Sequence, residues 1–228
     1  MDVTGANTLA RRTFLAGTSA TGLLALSGCA GGFGGYGLID AVRDLLLLSS
    51  DRAIARLTAP DGFWNSQVAR IDLPELFGNR GGVIAAILQS STFRNQLQHR
   101  LNNFAEQGAY RAAPVITEAV RTIGIDNAVA IIRGQPTAAT SYLRSAMGPA
   151  LINSLIPALG DVMRVSGDPL LNQAISALAG VNVGDVAVAL ANKADSAMWY
   201  EIGAAEADIR GHPEQTNNAR LIAALRVL

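Results

Sequence analysis

The run Gly184–Arg210, GDVAVALANKADSAMWYEIGAAEADIR, decides the fold class. Val186, Leu190, Ala194, Met198, Ile202, Ala205 and Ile209 recur close to the i, i+4, i+7 spacing that puts side chains on one face of an α-helix. Met198 and Ile202 are therefore expected to be buried. Lys193, Asp195, Tyr200, Glu201, Glu206 and Arg210 decorate the rest, and Glu206 is expected on the solvated side. Glu206 and Arg210 stand four apart, acid first, the favourable order for an i, i+4 pair. Gly211-His212-Pro213 closes the helix, because a residue before proline is pushed out of helical geometry.

Working outward, the same periodicity recurs. Ile39, Val42, Leu45, Leu46, Ile54 and Leu57 mark a helix over Leu38–Leu57, which Ala59-Pro60-Asp61-Gly62 ends with turn chemistry. The aromatic stretch Phe63–Pro74 reads as irregular chain laid across helices. Gly78–Gly82 opens an apolar helix over Val83–Leu88, with no Walker lysine to make the loop a phosphate cradle. A helix capped by Ser91 or Thr92 carries Phe93, Leu97, Leu101 and Phe104, with His99 off that stripe as a surface histidine. Pro114 fits a helix's first turn, and Asp126 fits a cap for Asn127–Arg133. Further helices are expected over Thr137–Met147, Ala150–Val165, from Asp168-Pro169 to Leu178, and around Leu221–Leu228. The uncharged run Ala146–Gly160 contains Asn153 and Pro157 and falls short of a bilayer span, so a buried core helix is the better reading. Nothing alternates like a strand. The pattern predicts an all-α, single-domain bundle of about 8–10 helices over residues 38–228.

Composition agrees. Half the residues are hydrophobic but only 5% are aromatic, a mix that suits close-packed helices rather than base-stacking surfaces. Eighteen basic residues balance 18 acidic ones, so no field draws the chain to nucleic acid. Lysine occurs once, at Lys193, which argues against a polybasic membrane patch.

The N-terminal segment carries a different message. Arg11-Arg12 precedes Phe14 and Leu15 in a twin-arginine pattern, and an apolar stretch follows to Leu26. Leu26-Ser27-Gly28-Cys29 is similar to a bacterial lipobox, with Cys29 as the thiol that takes diacylglycerol. Residues 1–28 are thus expected to be a signal peptide. Residues 29–37, ending in the glycine-rich AGGFGGYG, form a lipidated tether. Cys29 is the sole cysteine, so once lipidated it leaves no thiol for a disulfide. The expected destination is the envelope, in the outer membrane facing the periplasm, because Ala30 is not the aspartate associated with inner-membrane retention.

Arg52-Ala53 through Asp61-Gly62-Phe63 to Ile71-Asp72-Leu73-Pro74 forms the first of several boxes that resemble a known family. The others are Ala113-Pro114 to Ile132-Arg133-Gly134, Ala138-Ala139-Thr140-Ser141-Tyr142, and Lys193-Ala194-Asp195 to Ile209–Pro213. Their order and spacing resemble a family of bacterial exported proteins known as domain of unknown function 4197. The resemblance implies an all-helical domain and carries over no catalytic residue. The family's usual charged C-terminal run is replaced here by Asn217-Asn218-Ala219-Arg220-Leu221-Ile222.

Two functional classes remain. A non-enzymatic envelope lipoprotein would bind a protein or an apolar ligand, with the acyl chains on Cys29 as its only prosthetic group and no cofactor or metal. An enzyme would need carboxylate, lysine or tyrosine chemistry, because His99 and His212 are the only histidines and no G-x-S-x-G occurs in residues 29–228. Its candidate polar cluster is Asp61, Asn65, Tyr142, Lys193 and Asp195, with Tyr200 and Glu201 following Lys193 and Asp195 on the same helix. Lys193 and Asp195 lie two apart and so point differently on a helix, which favours the binding or structural role.

Overall fold

The computed structural model describes residues 35–73, 90–178 and 180–227; the signal, lipobox, tether to Gly34 and Gly78–Leu88 expectations lie outside them. Every regular element among the described residues is helical. In chain order these are α1 (Gly35–Leu57), α2 (Gly62–Asn65), α3 (Ser91–Thr122), α4 (Ala128–Arg133), α5 (Ala138–Met147), α6 (Ala150–Ser166), α7 (Pro169–Ser176), α8 (Val183–Gly211), a 3-10 turn (Pro213–Thr216) and α9 (Ala219–Val227). The all-α, multi-helix expectation is met.

Local chemistry starts and stops these helices where the sequence indicates. Asn182 caps α8 by accepting from the Gly184 and Asp185 amides, and Asp185 answers with a bond from the Asn182 amide. Asp168 accepts from the Leu170 and Leu171 amides with Pro169 in the first turn of α7. Several boundaries differ from the expectation. Helix α1 begins at Gly35, inside the expected tether, rather than at Leu38. Helix α2 puts a helical turn at the start of the stretch expected to be irregular. Ser90, not Ser91 or Thr92, caps α3, its side chain accepting from the Phe93 amide. Asn127, not Asp126, caps α4, its side chain accepting from the Ala130 amide. Pro114 lies inside α3 rather than at a helix start. It forfeits one backbone bond, yet Ala112 and Ile116 on either side are fully buried and hold the helix through it.

The long helices form a ring, α8 packing on α1 and α6, and α3 on α1 and α6. Arg56 pairs with Glu201 and Arg52 with Asp208, so α1 and α8 run antiparallel. Leu45, Leu46, Leu97, Leu101, Ile116, Leu151 and Leu155 fill the centre without solvent exposure. Gly108 lets α3 and α6 close, since a Cβ there would lie 2.5 Å from Leu159 Cδ2. Met198 and Ile202 are both fully buried, so the expected stripe of α8 faces inward as read. No single helix among the described residues is long and apolar enough to cross a membrane; α5 and α6 would reach the length only together, across a 73° bend.

Glu206 overturns its expectation. It is fully buried, not solvated, and Glu201 is only 4% exposed. Both carboxylates tie α8 to distant chain.

Candidate functional site, a groove along α8

The exposed edge of α8 carries Lys193, Ser196, Tyr200, Ala204 and Ala207, three or four residues apart and so in one line. Two flanking walls turn this edge into a groove. One wall is α5, contributing Thr137, Ser141 and Arg144. The other is the irregular segment Val68–Asp72. The first part has a volume of about 430 Å³ and the second about 570 Å³. They meet at Ser196 and Tyr200, which line both.

Glu206 fixes the α5 wall. Thr137, the cap residue of α5, makes no side-chain capping bond. The Glu206 carboxylate takes its place, accepting from the Ala139 amide at 3.0 Å, the Thr140 amide at 2.7 Å and the Thr140 hydroxyl at 2.6 Å. A negative charge at a helix N-terminus meets both the free amides and the positive end of the dipole. Arg210 Nε donates to the same carboxylate at 2.8 Å, and its other nitrogens donate to the Ile131 and Ile132 carbonyls. One buried ion pair thus joins α8, the C-terminal turn of α4 and the start of α5. Above it the helices come close: a Cβ on Gly203 would meet Thr137 Cγ2 at 3.2 Å.

Glu201 and α3 fix the second wall. Glu201 accepts from Arg56 at 2.8 Å and from the Ser66 hydroxyl at 3.2 Å. Ser66 Oγ in turn accepts from the Val68 and Ala69 amides, which winds the segment into a turn. Asn102 on α3 accepts from the Ile71 amide at 2.9 Å and donates to the Ile71 carbonyl at 2.8 Å. Ser66 and Asn102 thereby hold a segment without regular structure by hydrogen bonds to its backbone.

The groove's own polar groups are less saturated. Arg144 lies 3.7 Å from Asp195 and 5.9 Å above the Trp199 ring centroid, with over half of its side chain exposed. Trp199 Nε1 donates to Asp195 at 3.1 Å. Burial pushes the Asp195 carboxyl above the usual aspartate range, and the Trp199 hydrogen bond and Arg144 charge only partly oppose it.

The five cluster residues named from sequence are dispersed. Lys193 lines the second part of the groove and Asp195 lies beneath Arg144. Tyr142 points elsewhere, its hydroxyl donating to the Gly124 carbonyl. Asp61 sits in the left-handed region at φ 59° and meets His99 Nε2 at 2.7 Å; the exposed Asn65 gives its amide to the Asp61 carbonyl. Beside them Glu106 accepts from the Phe63 amide, its carboxyl raised above the ordinary value by burial. His99, expected to be a plain surface residue, is half-buried against Trp64, at 4.8 Å between ring centroids. Arg70, Ser141, Arg144 and Ser196 escaped sequence reasoning, because α5, α8 and the Val68–Asp72 segment come together only in the fold. Among the described residues, no three or more His, Cys, Asp or Glu side chains are placed to hold a metal ion.

No curated protein matches the chain, and no solved structure does. A family match does exist, over residues 36–224, to the family described as Protein of unknown function (DUF4197). That span takes in every described helix through most of α9, both walls of the groove and the buried Glu206 that sets one of them, and the chain therefore belongs to this family.

Proposed function

We propose that this protein is a lipid-anchored component of the bacterial cell envelope whose helical domain binds a partner in the groove along α8 and does not act as an enzyme. The observation that supports binding is the continuity of that groove, open from Ala207 to Lys193 and walled by two segments that buried carboxylates lock in place. Preorganised walls lower the ordering cost of association, which is what a recognition site needs. The groove's hydroxyls, on Thr137, Thr140, Ser141, Ser196 and Tyr200, have no histidine among the lining residues to act as a base, which favours recognition over nucleophilic chemistry.

The anchor rests on the sequence. Cys29 closes a lipobox behind an Arg11-Arg12 signal, and the tether after it leads into α1. Two or more acyl chains hold a protein to a bilayer stably, at about 0.8 kcal/mol per buried CH₂, whereas one holds it marginally. The outer membrane facing the periplasm is the proposed address, and folded export through the arginine pair the proposed route.

Two measurements test this reading. Cys29→Ala should abolish lipid labelling and leave the chain unprocessed or free of the membrane; a mature, membrane-bound Cys29→Ala protein would remove the anchor. A photo-crosslinking amino acid at Ala204 in the groove should give discrete adducts in cells that the same probe at the exposed Val165 does not. Identical adducts from both positions would end the binding reading.

A further inference from the structure

Resting on the binding role proposed above, we infer that the α8 groove takes an extended, carboxylate-bearing peptide segment of a partner protein. Charge supplies the first argument. Arg70, Arg144 and Lys193 line the groove against one lining carboxylate, Asp72. Among the described residues neither Lys193 nor Arg70 has a carboxylate within ion-pair distance; Arg70 instead donates through Nε to the Trp64 carbonyl and lies over the Trp64 ring, 4.6 Å from its centroid. Arg144 is held only loosely by Asp195, at 3.7 Å. In a chain whose charges balance overall, a groove lined by three cations and one carboxylate is a local asymmetry, and complementary charge is what selects a partner and speeds its encounter.

Dimensions and lining supply the second. From Lys193 to Ala207 the groove follows about 21 Å of helix, at roughly 1.5 Å per residue. An extended chain covers that distance in about six residues at roughly 3.3 Å each. Ser141 offers a hydroxyl to a peptide's main chain. Ser196 and Asn192, which donate to the Asn192 and Val188 carbonyls, keep side-chain oxygens that can accept from its amides, while Gly203 and Ala204 leave a shallow floor that admits small side chains. A glycan is the poorer fit. Trp199 is 4% exposed, so Tyr200 alone presents an open ring, and sugar rings call for a wider aromatic platform.

The test uses the mature lipoprotein in detergent micelles and fluorescence anisotropy. The probes are a labelled decapeptide of alternating Glu and Ala, its Lys-for-Glu counterpart, and polygalacturonate as an anionic glycan. The acidic peptide should bind, and binding should weaken as ionic strength rises past the point where exposed charges are screened, at a Debye length of about 8 Å. Arg144→Glu and Lys193→Glu should each weaken it about tenfold or more, since each replaces attraction by repulsion. Arg164→Glu, on α6 outside the groove, should leave it unchanged. Circular dichroism of each variant separates misfolding from lost contact. Equal or tighter binding of the basic peptide or of polygalacturonate would overturn the inference, as would unaltered affinity in both groove variants. Absence of binding to the acidic peptide would also overturn it. Discrete crosslinks from Ala204 would then still stand for the binding role, so the two readings fail separately.

Discussion

Glu206–Arg210 and Asp195–Arg144 are both carboxylate–arginine pairs where α8 meets α5, yet the first is sealed and the second is open. Glu206 is fully buried, and each of its oxygens accepts a backbone amide and a side-chain donor. Its partner Arg210 has 11% of its side chain exposed and spends two further donors on carbonyls of α4. Arg144 keeps over half of its side chain in solvent and meets its carboxylate at 3.7 Å. Residue type therefore does not separate framework from site on this helix. Saturation does: a group whose hydrogen-bonding capacity is filled from within is committed to the fold, and one left partly unfilled is available to a ligand.

The sharpest way to break this contrast is Glu206→Ala. It would strand a largely buried guanidinium and uncover the amides of Ala139 and Thr140 at once. Removing one partner of a buried pair costs about 3–5 kcal/mol, so the denaturant midpoint should fall steeply. A loss under about 1 kcal/mol, the value for an exposed pair, would mean that the junction is not load-carrying. Thr140→Val refines the same point. It keeps the amide bond to Glu206 and deletes the 2.6 Å hydroxyl bond, which as a bond to a charged group should contribute about 1.5–3 kcal/mol. Arg144→Ala probes the open pair, where solvent screening should hold the cost to under about 1 kcal/mol in the same denaturation experiment. If Arg144→Ala proved as damaging as Glu206→Ala, the distinction between framework and groove would collapse.

The inward stripe of α8 was legible in the sequence because burial there follows local periodicity: Val186, Leu190, Met198, Ile202 and Ile209 face the core as their spacing requires. The start of α7 at Asp168-Pro169 was equally local and equally legible, whereas the Asn182 cap of α8, just as local, was not singled out. Glu206 was misread because nothing within its own turns marks it as buried; its partners Ala139 and Thr140 lie more than 60 positions earlier. A charged residue on a helix face reads as solvated until another helix is laid over it. Pro114 was misread for a related reason. The local rule that proline begins a helix yields to the packing of Ala112 and Ile116 on either side. The groove was only partly legible. Lys193 and Asp195 could be singled out, but Arg144 comes from another helix and Arg70 from an irregular segment, and neither stands at any telling spacing from them. Tertiary juxtaposition, not residue choice, makes this site.

The smallest expected effect concerns the pH response of the open pair. Burial raises the Asp195 carboxyl above its ordinary value, so the folded chain keeps a proton over a range where the unfolded chain has lost it. Stability must therefore fall as pH rises through that window, from the ordinary aspartate value up to the raised one, and level off once the folded carboxyl has also ionised. Asp195→Asn retains an oxygen to accept from Trp199 Nε1 and removes the ionisation, so it should flatten the decline. It should not remove it, because Glu106 is also raised by burial and contributes with the same sign. Glu106→Gln, which keeps an acceptor for the Phe63 amide, should flatten the remainder. Denaturant midpoints across a pH series would read both changes. If the decline persisted undiminished in the double variant, these two carboxyls would not be its source. If Glu106→Gln alone abolished it, Asp195 would be solvated in practice, and its pairing with Arg144 would be looser still than the 3.7 Å separation implies.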